Sequence, residues 1–295
     1  MKIRNALCVV AAMCLFAQTG LQAQSTNTDS SSENADSSMN SKLQQLQLSV
    51  QAKFQDGKHT EADYTDELKT LDTLIAAKKD AKTDEAVQLT YMKAMLYLEV
   101  LEDYSKGADI MRQIVTNYPN TQYSDSATKI IAKIPLMIEA KKKEAEAKKI
   151  QAGLVAGAPF PDFAAADLDG KPLSVASRKG KVVLLDFWAT WCPPCRAELP
   201  NVIAVYQKHH SEGFEIIGVS LDSERDTLDT FLKKQDGMTW PQYYDGQGWT
   251  NNLAVKYGVE SIPFTVLVGA DGKIIDKDLR GDDLENAVAK ALTAK

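Results

Sequence analysis

The chain has 295 residues, a length that suits about two domains, each able to bury its own core. Its 34 Lys+Arg against 40 Asp+Glu leave a net charge of −6, which argues against a nucleic-acid partner, whose footprint would be basic. Hydrophobic residues at 44% and charged residues at 25% exclude long disorder, collagen or a coiled coil as the whole answer, and no apolar run reaches the roughly 18–20 residues that span a bilayer.

Residues 1–23 read as an export signal. Lys2 and Arg4 form a basic start, Ala6 to Ala17 is a short apolar stretch, and Ala23 offers a small residue for cleavage. Cys8 and Cys14 fall inside this segment, preceded by Leu7 and Met13 rather than by the small residue that a lipid anchor needs. Cleavage would leave Cys192 and Cys195 as the only cysteines, in an exported compartment, most simply the periplasm, where disulfides persist. Residues 24–40, rich in Ser, Asn and Asp, read as a flexible linker.

Residues 41–150 show helical spacing of apolar side chains: Leu43, Leu46, Val50, Phe54; Tyr64, Leu68, Leu71, Ile75; Val87, Tyr91, Ala94, Leu98, Leu101; Ala108, Met111, Ile114, Val115. Breaks are expected at Asp56-Gly57, around Asp80 to Thr83, near Tyr104 to Gly107 and at Tyr118-Pro119-Asn120. One pair of helices, with Tyr91, Ala94, Leu98, Gly107, Met111, Ile114 and Pro119, has the spacing of a tetratricopeptide repeat; an irregular helical bundle fits the same stripes. From Ile138 to Ile150, lysines interleaved with Glu139, Glu144 and Glu146 read as a solvated linker helix.

Residues 154–295 change character. A hairpin is expected from Phe163 to Val175 around Asp169-Gly170, and buried strands at Val182 to Trp188, Phe214 to Ser220 and Phe264 to Val268. Helices are expected from Pro193 to His209, Thr227 to Gln235 and Asp282 to Leu292, and a last strand from Ile274 to Asp278. This alternation predicts a mixed sheet covered by helices.

The pair Cys192-Pro193-Pro194-Cys195 stands where a buried strand gives way to a helix. Two intervening residues at a helix start bring both sulfurs within bonding reach and place Cys192 outermost, where unpaired N–H groups and the helix dipole favour its thiolate. A structural disulfide gains little from so short a loop. A zinc site needs two more ligands, and the chain offers only His59, His209 and His210. A redox-active pair is the expected role, with no metal and no cofactor. Asp186, inside an apolar strand six positions before Cys192, should have a raised pKa and be able to exchange a proton near neutral pH.

The segment Leu185-Asp186-Phe187-Trp188-Ala189-Thr190-Trp191-Cys192-Pro193-Pro194-Cys195 resembles the active-site segment of thioredoxins, and in particular of the exported TlpA/ResA-like thiol-disulfide oxidoreductases. Arg196 to Pro200, the extra strand-helix unit around Ile216 to Asp236, Ser261-Ile262-Pro263 and the turn from Gly269 to Lys273 extend the likeness over about residues 154–295. The resemblance implies an α/β thioredoxin fold, here preceded by an all-α domain. It implies Cys192 as the attacking thiolate and Cys195 as the resolving thiol, the two forming the redox disulfide. It implies Pro263 as a cis-proline facing them, with Ile262 and Trp191 contacting substrate, Asp186 serving the resolving thiol, and Glu198 in the same acid-base group. TlpA/ResA-like proteins often carry Asn at the position of Asp186, so this chain departs toward the thioredoxin pattern.

The expected function is reduction of disulfides in exported proteins, with an upstream, membrane-bound thiol as electron donor. Three alternatives stand beside it. The pair could work as an oxidant or isomerase. A peroxiredoxin-like peroxidase shares much of the fold, but Ala189 stands where its Thr is needed. The helical domain could also be a protein-docking module to which the redox domain is attached.

Overall fold

The computed structural model describes residues 30–78 and 84–294; the expected export signal at residues 1–23, with Cys8 and Cys14, lies outside them. The chain forms two compact units, one ending at Ala140 and the other beginning at Lys141.

In the first unit, α1 (Ser30–Gln55) is followed by α2 (Thr65–Lys78), α3 (Asp84–Met95), α4 (Tyr104–Asn117) and the first part of α5 (Gln122–Gly153). Residues 30–40, expected as linker, belong to α1. Once the apolar stripe of Leu46 and Val50 fixes the helix, each further residue adds a hydrogen bond at little cost. The break expected near Tyr104 to Gly107 falls earlier, because Asp103 caps α4 by accepting the Lys106 N–H at 3.0 Å. A π-helical turn, Leu96–Val100, extends α3 and lets it feed two apolar clusters. Leu96, Tyr97 and Val100 pack with Leu46, Leu68 and Leu71; Leu98 packs with Met111, Ile114 and Ala127. Among the described residues no helix is long and apolar enough to cross a membrane.

The second unit holds a short hairpin, β1 (Ala165–Ala166) and β2 (Pro172–Leu173), and a five-stranded sheet. The sheet strands are β3 (Val182–Trp188), β4 (Phe214–Ser220), β5 (Gln242–Tyr243), β6 (Phe264–Val268) and β7 (Ile274–Lys277), in the order β5-β4-β3-β6-β7. β3 runs parallel to β4 and antiparallel to β6. The helices are α6 (Pro193–His209), α7 (Arg225–Lys234), α8 (Asn252–Lys256) and α9 (Gly281–Thr293). The hairpin is shorter than its sequence implied, and β5 and α8 were not expected; both lie in a stretch broken by Gly246, Gly248 and Pro241, where no apolar period survives.

All seven residues of β3 and all five of β6 are buried, so the sheet centre is covered on both faces. Behind it, Trp188 Nε1 donates to Gln242 Oε1 at 3.0 Å. Gln242 reaches this position because Gly218 on β4 has no side chain: a Cβ there would collide with the Gln242 amide. Gly218→Ala is therefore expected to displace Gln242, leave Trp188 unpaired and destabilise the second unit by about 1–3 kcal/mol. Urea unfolding followed by tryptophan fluorescence measures this; an unchanged midpoint would contradict it.

Candidate active site

The site is built where β3 ends. β3 delivers Asp186 to the middle of the sheet, paired with Gly218 on β4 and Thr265 on β6. The chain then turns through Ala189 to Trp191 and enters α6. Asp222, buried after β4, holds this turn: it accepts the Thr190 N–H at 3.1–3.2 Å and the Thr190 hydroxyl at 2.5 Å, and the Ser220 hydroxyl donates to it at 2.8 Å.

Cys192 and Cys195 are joined as a disulfide with Cα atoms 5.3 Å apart. Cys192 is the N-cap of α6, and its sulfur accepts the Cys195 N–H at 3.2 Å. Pro193 and Pro194 fill the first two helical positions, where a missing N–H costs little. The Cys195 amide is thus the first helix N–H that the outer sulfur can receive. In this oxidised state both sulfurs are enclosed: Cys192 is 3% and Cys195 5% exposed. The Ile262 carbonyl lies 3.7 Å from Cys192 Sγ, positioned to accept from the thiol once the disulfide is reduced. The Ile262–Pro263 peptide is cis.

The two sulfurs sit in different surroundings. Cys195, Asp186, Glu198 and Pro263 line one small cavity, with Trp188, Thr265 and Arg280, that has room for no more than about one water. Of the residues singled out in the sequence, these four come together. Ile262 meets Cys192 through its carbonyl instead, and Trp191 stands half-exposed outside the cavity.

Asp186 is buried, and its carboxyl is pushed up to about 7, chiefly by that burial. The nearby Glu198 charge contributes to the rise and Arg280 opposes it. Glu198 Oε1 accepts from Asn201 Nδ2 at 2.8 Å and from the Gly281 N–H at 2.7 Å, capping the start of α9. Glu198 therefore ties α6 to α9 while its charge acts on Asp186.

Arg280 escaped the sequence reading. It donates through Nη2 to the Pro263 carbonyl and through Nη1 to the Asp278 carbonyl. It reaches the site from the end of a hairpin 17 residues beyond Pro263, with no local motif to mark it.

Comparison with known proteins agrees with this geometry. Residues 155–294 match the Redoxin family. ResA thiol-disulfide oxidoreductase from Bacillus thuringiensis is 33% identical over 136 residues, 46% of this chain and 76% of the relative. ResA from Bacillus subtilis is 32% identical over 119 residues, 40% and 64% of the two chains. The chain belongs to the ResA-like thiol-disulfide oxidoreductases of the thioredoxin family. The thioredoxin domain of a thiol-disulfide oxidoreductase from Bacteroides vulgatus is 35% identical, with a TM-score of 0.43, covering 46% of this chain and 97% of that one. Its chemistry is thiol-disulfide exchange, and the Cys192–Cys195 pair is the group that can carry it.

The Asp186 carboxyl is held well above the roughly 3.9 of an unfolded chain, so between about pH 4 and 7 the native state binds more protons. Stability is expected to fall as pH rises through this window and to level off above it. Asp186→Asn should remove that slope and stabilise the oxidised protein at pH 8 by about 2–4 kcal/mol. Denaturant unfolding at a series of pH values measures it; a slope that survives the substitution would contradict the assignment.

Proposed function

We propose that the chain is an exported protein that reduces disulfides in other exported proteins. In the reduced state the Cys192 thiolate attacks one sulfur of a substrate disulfide. The substrate S–S bond breaks, a mixed disulfide forms, and the departing substrate thiolate takes up a proton. Cys195 then gives its proton to Asp186 and attacks Cys192 Sγ, which releases the second substrate thiol and closes the Cys192–Cys195 disulfide. Two electrons pass to the substrate, and an upstream, membrane-bound thiol donor returns them.

The observation that carries the division of labour is the shared cavity: Asp186 lies beside Cys195, whereas the Cys192 sulfur faces the Ile262 carbonyl. A carboxyl at about 7 can take the resolving proton at neutral pH. Trp191, Ile262 and Pro263 are the proposed substrate contacts. Glu198 acts through Asp186 as a positioning charge, and the helical unit is the proposed docking module.

The reducing direction is supported by the cap of α6. Pro193 and Pro194 withhold two N–H groups from the Cys192 sulfur, and the intervening pair contains no His. A less stabilised thiolate means a more reducing couple.

Two experiments test this. Cys195→Ser, expressed in its source cell, is expected to hold substrates as mixed disulfides, whereas Cys192→Ser should hold none; trapping through Cys195 in the second variant would reverse the roles. Against glutathione buffers the purified protein should show a potential nearer about −270 mV than about −120 mV. A potential above about −180 mV would make it an oxidant or isomerase.

A further inference from the structure

Two tryptophans stand half-exposed beside the reactive pair. Trp191 is 50% and Trp249 48% exposed, and their ring centroids are 5.9 Å apart. They come from distant parts of the second unit, one just before Cys192 and one in the turn Gly248–Thr250 that precedes α8.

Both are held from below by buried polar groups. Trp191 follows Thr190, which Asp222 fixes through its backbone and its hydroxyl. Trp249 is fixed from both sides. Gly248 adopts a φ of +55° close under Ser223, a conformation that favours glycine. Asn251 is fully buried, and its amide donates to the Ser220 carbonyl at 3.3 Å and to Asp245 Oδ1 at 3.0 Å. Ser220 also donates to Asp222, so both tryptophans are mounted on the end of β4. Rings held this way lose little freedom when a partner covers them.

The two segments that carry the rings are uncharged. Residues 189–194 and 246–252 contain no Asp, Glu, Lys or Arg. The adjacent Asp245 is occupied: it accepts from Asn251, from the Gln247 and Asn252 N–H groups and from the Tyr243 hydroxyl. No side chain in these two segments can form an ion pair with a partner, whereas an apolar side chain could cover the rings.

Reach then names the occupant. Exchange places a substrate sulfur in bonding contact with Cys192 Sγ, and an extended chain advances about 3.3–3.6 Å per residue. Residues one to three positions from the substrate cysteine therefore fall over Trp191 and its neighbour Trp249. We infer that Trp249 and Trp191 together form an apolar seat for the substrate chain, which favours disulfides whose cysteine is flanked by a bulky apolar residue. This specificity rests on Cys192 being the attacking thiol.

The test uses the reduced full chain and two disulfide-linked peptides that differ at one position, two residues from the cysteine: Phe in one, Gly in the other. The wild type is expected to attack the Phe peptide about tenfold faster. In Trp249→Ala that ratio should fall close to one, and Trp249→Phe should restore most of it. A ratio cancels any change in overall rate or folded fraction. A wild-type ratio near one, or a Trp249→Ala ratio near the wild-type value, would overturn the inference. A wild-type dimer that Trp249→Ala dissociates in sedimentation would assign the rings to a second copy and overturn it as well. Attack on neither peptide would overturn the underlying assignment of Cys192.

Discussion

A strand covered on both faces has no solvent side on which to place a charge, and β3 carries one. Its seven residues are all buried, and Asp186 sits at the centre between Gly218 and Thr265. Much of the site depends on that enclosure. The carboxyl stays poised near neutrality because bulk water is excluded, and it shares a cavity with Cys195 because only four residues separate the end of β3 from the start of α6. A solvated aspartate at the same place would be ionised throughout the physiological range and could not both take and return a proton there.

The groups around Asp186 serve structure and chemistry together. Glu198 completes the first turn of α9 and also raises the Asp186 carboxyl. Arg280 donates to the Pro263 carbonyl and opposes that rise. A neutral replacement at either position therefore changes the packing of α9 or of the Pro263 segment along with the electrostatics. Single substitutions at these sites will not separate the two effects, and coupled pairs of substitutions are required.

The sheet centre was legible in the sequence because its signals are local. The apolar runs of β3, β4 and β6, and the Cys-Pro-Pro-Cys start of α6, have the same bounds in sequence and structure. Asp186 announced itself as a charge within such a run. Features that depend on distant partners left no such trace. Gln242 matters because Trp188 donates to it across the sheet, and Trp249 because Trp191 lies beside it. Ser-rich Ser30–Asn40 looked like a tether because its helicity is continued from the apolar residues of α1 rather than carried by its own composition.

The burial of both sulfurs bears on how electrons are kept on course. An open dithiol would exchange with every small thiol and disulfide that diffuses past. Here the Ile262 carbonyl stands over Cys192 and the cavity beside Cys195 admits about one water. Exchange rates depend on access as well as on potential. The pair is thereby insulated against short circuits, since a disulfide or thiol must first gain access to a buried sulfur before electrons can pass.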